Sequence, residues 1–240
     1  MSVKNIARKT LQALHLDITK NLEYDRLTSL ILKRVLQSDS NCVDVGCHKG
    51  EILTEILKLS PKGSHHAFEP IPRYYENLKS HFPNVSIHPY ALADTSGTSE
   101  FKWVENAPAY SGIKERSYDI KNPIITTITV DLRRMDEVLT KNEHIDLIKI
   151  DVEGAEYGVL QGAKNIIERC KPVIIFEFGK GASDKYGTTS DMIFDLLNKN
   201  HNLQINTLKN FVKKKSALSR KDFEHLYQTN KEYYFIAYPE

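Results

Sequence analysis

The stretch "IDLIKIDVEGAEYGVLQGA", residues 145–163, decides the fold. Its first half is a short apolar run, the pattern of a strand buried on both faces. Lys149 sits inside that run, and Asp151, Glu153 and Glu156 follow at its exit. Burying a charge without a partner costs roughly several kcal/mol or more, so neighbouring strands must supply counter-charge. Period-two alternation places Lys149 and Asp151 on one face. Asp44 or Glu177, from flanking strands, is then the expected partner of Lys149. The second half of the stretch predicts a helix from about Ala155 to Arg169.

Outward from this stretch, β-branched runs alternate with helical patterns from residue 41 onward. "CVDVG" precedes a helix built on Ile52, Leu53, Ile56 and Leu57. "HHAFEP" precedes a helix opened by Pro72, with Tyr75, Leu78 and Phe82 on one face. "VSIHPYAL" reads as a third strand, and "PVIIFEF" leads through a Gly-rich loop into "TSDMIFDLLNKN". This repetition predicts a parallel sheet covered on both faces, an α/β fold. Before "LIKID" the chain inserts "TSEFKWV", a polar loop around residues 105–122, and "ITTITV". At the end, "LQINTL" and "EYYFIAYP" read as two strands with no obvious crossover helix, an antiparallel edge. The basic stretch between them, "KNFVKKKSALSRK", is a solvated face or a patch for an acidic partner. Helical spacing of Ile6, Thr10 and Leu14, then of Leu27, Ile31 and Val35, predicts a helical lid over residues 1–40. Residues 41–240 form the main unit.

The 240 residues carry a net charge of only +2, so no strong field for nucleic acid or membrane is implied. Three cysteines, Cys42, Cys47 and Cys170, fit a reducing cytosol better than a disulfide scaffold. The start "MSVKNIARKTLQALHL" is broken by charges and lacks a signal-peptide core. No apolar run approaches the ~20 residues that span a bilayer. The expectation is a cytoplasmic protein without a membrane span.

"VDVGCHKGEIL" is a strand, a glycine-containing turn and a helix start. A dinucleotide fingerprint has a glycine where Asp44 stands, and a carboxylate pointing into a pyrophosphate cradle repels its ligand. The same carboxylate suits a cationic ligand without phosphate, such as S-adenosylmethionine (SAM). Gly46 and Gly50 would let the backbone approach its methionine end. Glu69 lies twenty-three residues after Gly46, the distance at which an acid accepts from both ribose hydroxyls. Its alternative is to cap the helix begun at Pro72. Pro70 follows it, Tyr90 and Ala91 would lie against the adenine with Asp94 nearby, and His48 in the turn could touch ligand.

"CVDVGCHKG", "AFEPIPRYYENL", "ALADTSG", "TITVDL", "IDLIKIDVEGAEYGVLQGA" and "PVIIFEF" occur in an order that resembles FkbM-type SAM-dependent methyltransferases. The resemblance runs from about residue 41 to 178. It implies a class I methyltransferase (Rossmann-like) fold, a mostly parallel seven-stranded sheet of order 3-2-1-4-5-7-6 with strand 7 antiparallel. It also implies methyl transfer to a hydroxyl of a sugar, glycan or secondary metabolite. Asp44, Gly46, Gly50 and Glu69 match the cofactor positions, and Lys149, Asp151, Glu153 and Glu156 match the fourth-strand element.

Methyl transfer to an alcohol needs positioning and removal of one proton. Asp151, Glu153 and Glu177 are the candidate bases, Asp151 also standing beside the cofactor. The first two could instead serve a helix N-terminus, and capping or surface pairing suits Glu156. Aligned acids could hold a divalent ion, but their spacing does not demand one. Tyr110, Ser111 and Arg116, in the polar insert, are candidate acceptor contacts; an ordinary surface loop is the alternative. The exit "DVEG" lacks the proline and aromatic of base-modifying enzymes, which argues against nucleic acid as substrate, although the late lysines leave an RNA-directed enzyme as an alternative. A non-catalytic SAM-binding protein is the other.

Overall fold

The structure, a computed structural model, describes residues 19–116 and 120–240. Seven strands form one sheet: β1 (Cys42–Val45), β2 (His65–Phe68), β3 (Ser86–His88), β7 (Leu147–Ile150), β8 (Val173–Glu177), β9 (Gln204–Thr207) and β10 (Tyr234–Tyr238). Their order is β3-β2-β1-β7-β8-β10-β9, with β10 antiparallel to both neighbours and the remaining pairs parallel. Counting only this sheet's members, that is the expected 3-2-1-4-5-7-6. The chain's numbering runs ahead because β4 (Tyr90–Leu92), β5 (Gly97–Val104) and β6 (Ile125–Arg133) build a separate three-stranded sheet.

The expected third strand, "VSIHPYAL", is two strands in two sheets. Pro89 separates them and has no N–H to give to a ladder, so the chain leaves the first sheet there. Tyr90–Leu92 then pairs in parallel with β6, while β5 pairs antiparallel along the same strand.

Alternation sorts the main sheet's side chains onto two faces. Val43, Val45, Ile148, Ile150, Ile174, Phe176 and Phe235 point into the larger core. That core is closed by α4 (Met135–Val138), α5 (Glu156–Gly162), α6 (Lys164–Cys170), α7 (Ser190–Phe194) and the helix that carries Phe223 and Tyr227. The expected helix from Ala155 to Arg169 is these two segments, broken at Ala163. Gly162 lies so close to the β4 turn that a Cβ there would stand 2.1 Å from the Ala93 carbonyl oxygen. On the opposite face Cys42, Leu147, Ile175 and Ile236 meet α1 (Lys20–Val35). Helix α1 presents Tyr24, Leu27, Thr28, Ile31 and Leu32, a helical stripe, and Thr19 caps its start by accepting from the Leu22 N–H. Residues 3–18 of the expected N-terminal helices lie outside the described residues.

Helix α2 (Glu51–Leu59) follows β1, and α3 (Pro72–His81) follows β2. Tyr74 and Leu78 are the buried positions of α3, and Tyr75 and Phe82 are half-buried. A second correction concerns the C-terminal edge. Two helices, α8 (Leu208–Val212) and α9 (Arg220–Gln228), lie between β9 and β10. They occupy both ends of the basic stretch, leaving Lys213, Lys214 and Lys215 exposed. Helix α9 was obscured by its charges, yet Phe223 and Tyr227, four residues apart, bury its inner face. Among the described residues no helix is long and apolar enough to cross a membrane.

Candidate active site

The sheet face beneath α1 changes character along its strands. At the base it is apolar, with Cys42, Leu147 and Val173 side by side. Two residues nearer the rim, Asp44 pairs with Lys149 across β1 and β7. The next row holds Asp151, Glu177 and Tyr234, the last two directly opposite each other in register. Four strands thus deliver ionisable groups to one corner, at the carboxyl ends of the parallel strands beside the β1–β7 switch point.

Lys149 has its partners here. Its Nζ lies 3.2 Å from Asp151 Oδ2 and 3.9 Å from Asp44 Oδ1. Asp44 is therefore a partner as expected, while Asp151 is the nearer one and Glu177 is not in contact with the ammonium. Burial lowers the Lys149 proton affinity, but Asp151 and Asp44 override it and push the ammonium up to about 12. Asp44 is 1% exposed and does not line the cleft above it. It sits inside β1, one position short of the exit, so its charge reaches any occupant only through Lys149 and Asp151. Burial pushes its carboxyl up to about 6 against the pull of Lys149.

Asp151 stands over this pair and lines the cleft. Its Oδ2 accepts from Lys149 Nζ and from the Tyr234 hydroxyl at 2.5 Å. Burial works against the charged form, but Lys149, followed by hydrogen bonds that include Tyr234, holds this carboxyl below its ordinary value. Glu177 moves the other way, raised by burial and then by the Asp151 and Glu156 charges. Oxygens of Asp151, Glu153 and Glu177 lie within 4.8 Å of one another. Protein cations neutralise this group: Arg116, from the insert, pairs with Glu153, and Lys149 with Asp151. Glu156 is buried and accepts the Val152 and Gly154 N–H groups at 3.1 Å each. It caps the turn after β7, and it does so inside the protein rather than at the surface.

A cleft of about 800 Å³, open solvent included, runs from this corner across the ends of β1 and β2. Seven of the nine expected cofactor residues line it: Gly46, His48, Glu69, Pro70, Tyr90, Ala91 and Asp151. Asp44 lies below, and Gly50 caps α2 away from the cleft. Gly46 is required by a close approach: its φ is +74°, and a Cβ would stand 1.9 Å from the Asp151 carbonyl oxygen. The Gly46 and Cys47 N–H groups bond the Phe68 carbonyl, tying this turn to β2.

Glu69 serves the start of α3, the alternative the sequence offered, and is also placed at the cleft. Its two oxygens accept from the His48 and Ile71 N–H groups, at 2.9 Å each, which holds the turn and the start of α3. It also lines the cleft, and each carboxylate oxygen keeps a lone pair for a ligand. Burial pushes this carboxyl up to about 7. His48 Nε2 is buried without a hydrogen-bond partner among the described residues. Burial lowers the proton affinity of His48, leaving a neutral ring at the cleft wall.

The insert roofs the cleft. Pro108, Ala109, Ser111 and Ile113 line it, with Phe101 of β5 behind them. Ser111 accepts the Val104 N–H at 2.9 Å, and the Lys114 N–H reaches the Tyr186 hydroxyl at 3.0 Å. Of the three expected acceptor contacts, Ser111 lines the cleft. Arg116 sits beside it on Glu153 and over the Tyr110 ring. Asp94 is exposed outside it. Tyr234 and the apolar roof were not expected from the sequence, Tyr234 because only strand pairing brings it to Asp151.

Comparison with known proteins agrees with this architecture. Residues 44–215 match the profile of the methyltransferase FkbM domain. The 2-O-methyltransferase NoeI of Sinorhizobium fredii is 25% identical over 173 residues, covering 64% of this chain and 68% of NoeI. Methyltransferase sdnD of Sordaria araneosa is 27% identical over 159 residues, covering 53% of this chain and 61% of sdnD. The crystal structure of methyltransferase FkbM from Methylobacillus flagellatus superposes with a TM-score of 0.53 at 15% identity, over 85% of this chain and 44% of that one. With a domain match spanning most of its length and the matching strand order, the chain belongs to the FkbM methyltransferase family.

Proposed function

We propose that this chain transfers a methyl group from SAM to a hydroxyl of a small molecule, with a sugar, glycan or secondary metabolite as acceptor. The observation that carries the reading is one cleft lined by both Glu69 and Asp151. Two acids on one cleft suit a ligand that carries a ribose diol, a sulfonium and an ammonium along its length, and they repel a diphosphate. Apolar walls from Phe68, Ile71 and Leu92 suit a purine between them. Asp44 lies under the cleft floor, so Asp151, held charged by Lys149, is the better bearer of this preference. The name of NoeI, a 2-O-methyltransferase, favours oxygen as the acceptor atom.

When bound, SAM supplies a methyl group on a positive sulfur that leaves as a neutral thioether. The protein's task is to hold the acceptor oxygen in line and take its proton. Asp151 performs both: as a fixed anion it accepts the hydroxyl's hydrogen bond, which aims an oxygen lone pair at the methyl carbon. As the carbon–oxygen bond forms, the oxygen becomes positive and far more acidic than any carboxylic acid. A weakly basic carboxylate therefore suffices to receive the proton. Glu177 and Glu153 flank it, Glu177 raised by burial and by its acid neighbours and Glu153 covered by Arg116.

Titration calorimetry with SAM, S-adenosylhomocysteine and NAD tests the first half. The expected result is binding of the first two only. Transfer of labelled methyl from SAM to a panel of glycans, alcohols and RNA tests the second. Binding without transfer to any of them would make the protein a non-catalytic binder, and transfer to RNA alone would replace the acceptor class.

A further inference from the structure

The phenol of Tyr234 falls outside residues 44–215, the span of the family match, and on a strand no motif marks. It nevertheless makes the shortest polar contact to Asp151, 2.5 Å to Oδ2, the oxygen that also takes Lys149 at 3.2 Å. Two donors on one oxygen stop the carboxylate from rotating, and a further hydrogen bond joins it to Glu177, while Asp151 still lines the cleft.

Tyr234 is itself held in place. It begins β10 opposite Glu177, and its ring lies 5.1 Å from that of Tyr24 on α1. Tyr24 is locked in turn, donating to Glu232 at 2.7 Å and accepting the Tyr233 N–H at 3.1 Å. Burial and the charges of Asp151 and Glu177 keep the phenol protonated, so it remains a donor.

We propose that Tyr234 is a positioning residue for methyl transfer: with Lys149 it clamps one oxygen of Asp151 so that the other faces the acceptor hydroxyl. This rests on the reading of the site given above. The clamp adds something the motif cannot supply, because Lys149 alone approaches from below and fixes one direction only. An arrangement of donors within a few tenths of an ångström of the productive geometry is what an in-line displacement requires.

Several groups besides Tyr234 face Asp151. Lys149 and Asp44 lie beneath it, Glu177 beside it, and Glu153 with Arg116 at the exit turn. Glu156 and His48 act on it only through space. Changing Tyr234→Phe alters none of these and removes one hydroxyl.

The test combines kinetics with the carboxyl 13C titration of Asp151 in the S-adenosylhomocysteine complex. For Tyr234→Phe, SAM affinity should stay within about twofold, since the phenol donates to Asp151 and not to the cleft. kcat/KM should fall about ten- to fiftyfold, the factor a charge-assisted hydrogen bond carries. The Asp151 midpoint, with the acid limb of the rate profile, should move upward by about one pH unit, because a donor to the anion has gone. A residue that merely fills space would move neither. Wild-type transfer with an unchanged rate and midpoint in Tyr234→Phe overturns the clamp alone. Failure of the wild type to methylate any acceptor overturns the underlying reading and the clamp with it. If Tyr234→Phe does not fold, 3-fluorotyrosine at position 234 keeps the shape and strengthens the donor. The Asp151 midpoint must then move downward, and an unmoved midpoint refutes the proposal.

Discussion

Replacing Lys149 by methionine tests the electrostatic centre of the molecule. The ammonium stands 3.2 Å from one acid and 3.9 Å from another, with 8% of its side chain exposed. At an effective dielectric constant of about 20 these separations give attractions of roughly 5 and 4 kcal/mol. Desolvation and the mutual repulsion of Asp44 and Asp151 offset much of that, and deleting one member of a buried pair costs about 3–5 kcal/mol. Proton uptake caps the loss. Burial already pushes Asp44 up to about 6, and without the ammonium it rises further. An acid whose folded value lies above its unfolded one favours folding at low pH, and that contribution disappears as pH climbs through the folded value. The variant should therefore lose about 3 kcal/mol at pH 7.5 but only about 1 kcal/mol near pH 5.5, each pH unit being worth about 1.4 kcal/mol for one proton. Urea unfolding followed by the fluorescence of Trp103, the single tryptophan, measures both. Equal midpoints for Lys149→Met and wild type at pH 7.5, or a loss that ignores pH, would refute the pairing.

Three further outcomes are expected. Burial raises Asp44 to about 6 and both Glu69 and Glu156 to about 7, so the unliganded wild type should melt at a higher temperature at pH 5.5 than at pH 7.5. Scanning calorimetry with a lower melting temperature at pH 5.5 would contradict those burials. Gly46→Ala must drive a Cβ into the Asp151 carbonyl oxygen at a φ of +74°, and should cost about 2–4 kcal/mol together with most SAM affinity. Melting and calorimetry report both, and a variant that binds normally would show that the two loops can separate. Glu69→Gln keeps one acceptor for the His48 or Ile71 N–H, so the fold should survive while SAM affinity drops about tenfold, the usual worth of a charged acceptor. Equal affinity for Glu69→Gln and wild type would assign Glu69 to the α3 start alone.

The main sheet was legible because each parallel strand is a continuous apolar run and each crossover an amphipathic helix, two signals with different periods. "CVDV", "HHAF", "LIKI" and "VIIFE" are strands with those residues at their centres. Misreadings occur where one residue overrides a local pattern. "VSIHPYAL" has the composition of one strand, and Pro89 makes it two. Helix α9 has a short apolar stripe of Phe223, Leu226 and Tyr227 among charged neighbours. Local composition favoured a loop there, and packing against Phe178 and Phe235 decided otherwise.

At the site, side chains carried by the parallel strand ends were readable and their depth was not. Asp44 was correctly linked to Lys149, yet its place inside Cys42–Val45 sets it under the floor of the cleft. Gly46, two residues on, is where β1 meets the cleft. The same two-residue step separates Lys149, buried, from Asp151, lining the cleft, and Ile175 from Glu177. A charge one row deep tunes the row above it, and of the rim acids Asp151 is the one that lines the cleft. Tyr234 belongs to the rim row through antiparallel pairing with Glu177, a register between strands distant in sequence and written in no local pattern. The reacting corner is thus assembled from residues whose types were visible in the sequence, in an arrangement that only the pairing of β7, β8 and β10 fixes. That is why Tyr234→Phe, far along the chain from the family motifs, is expected to act on Asp151.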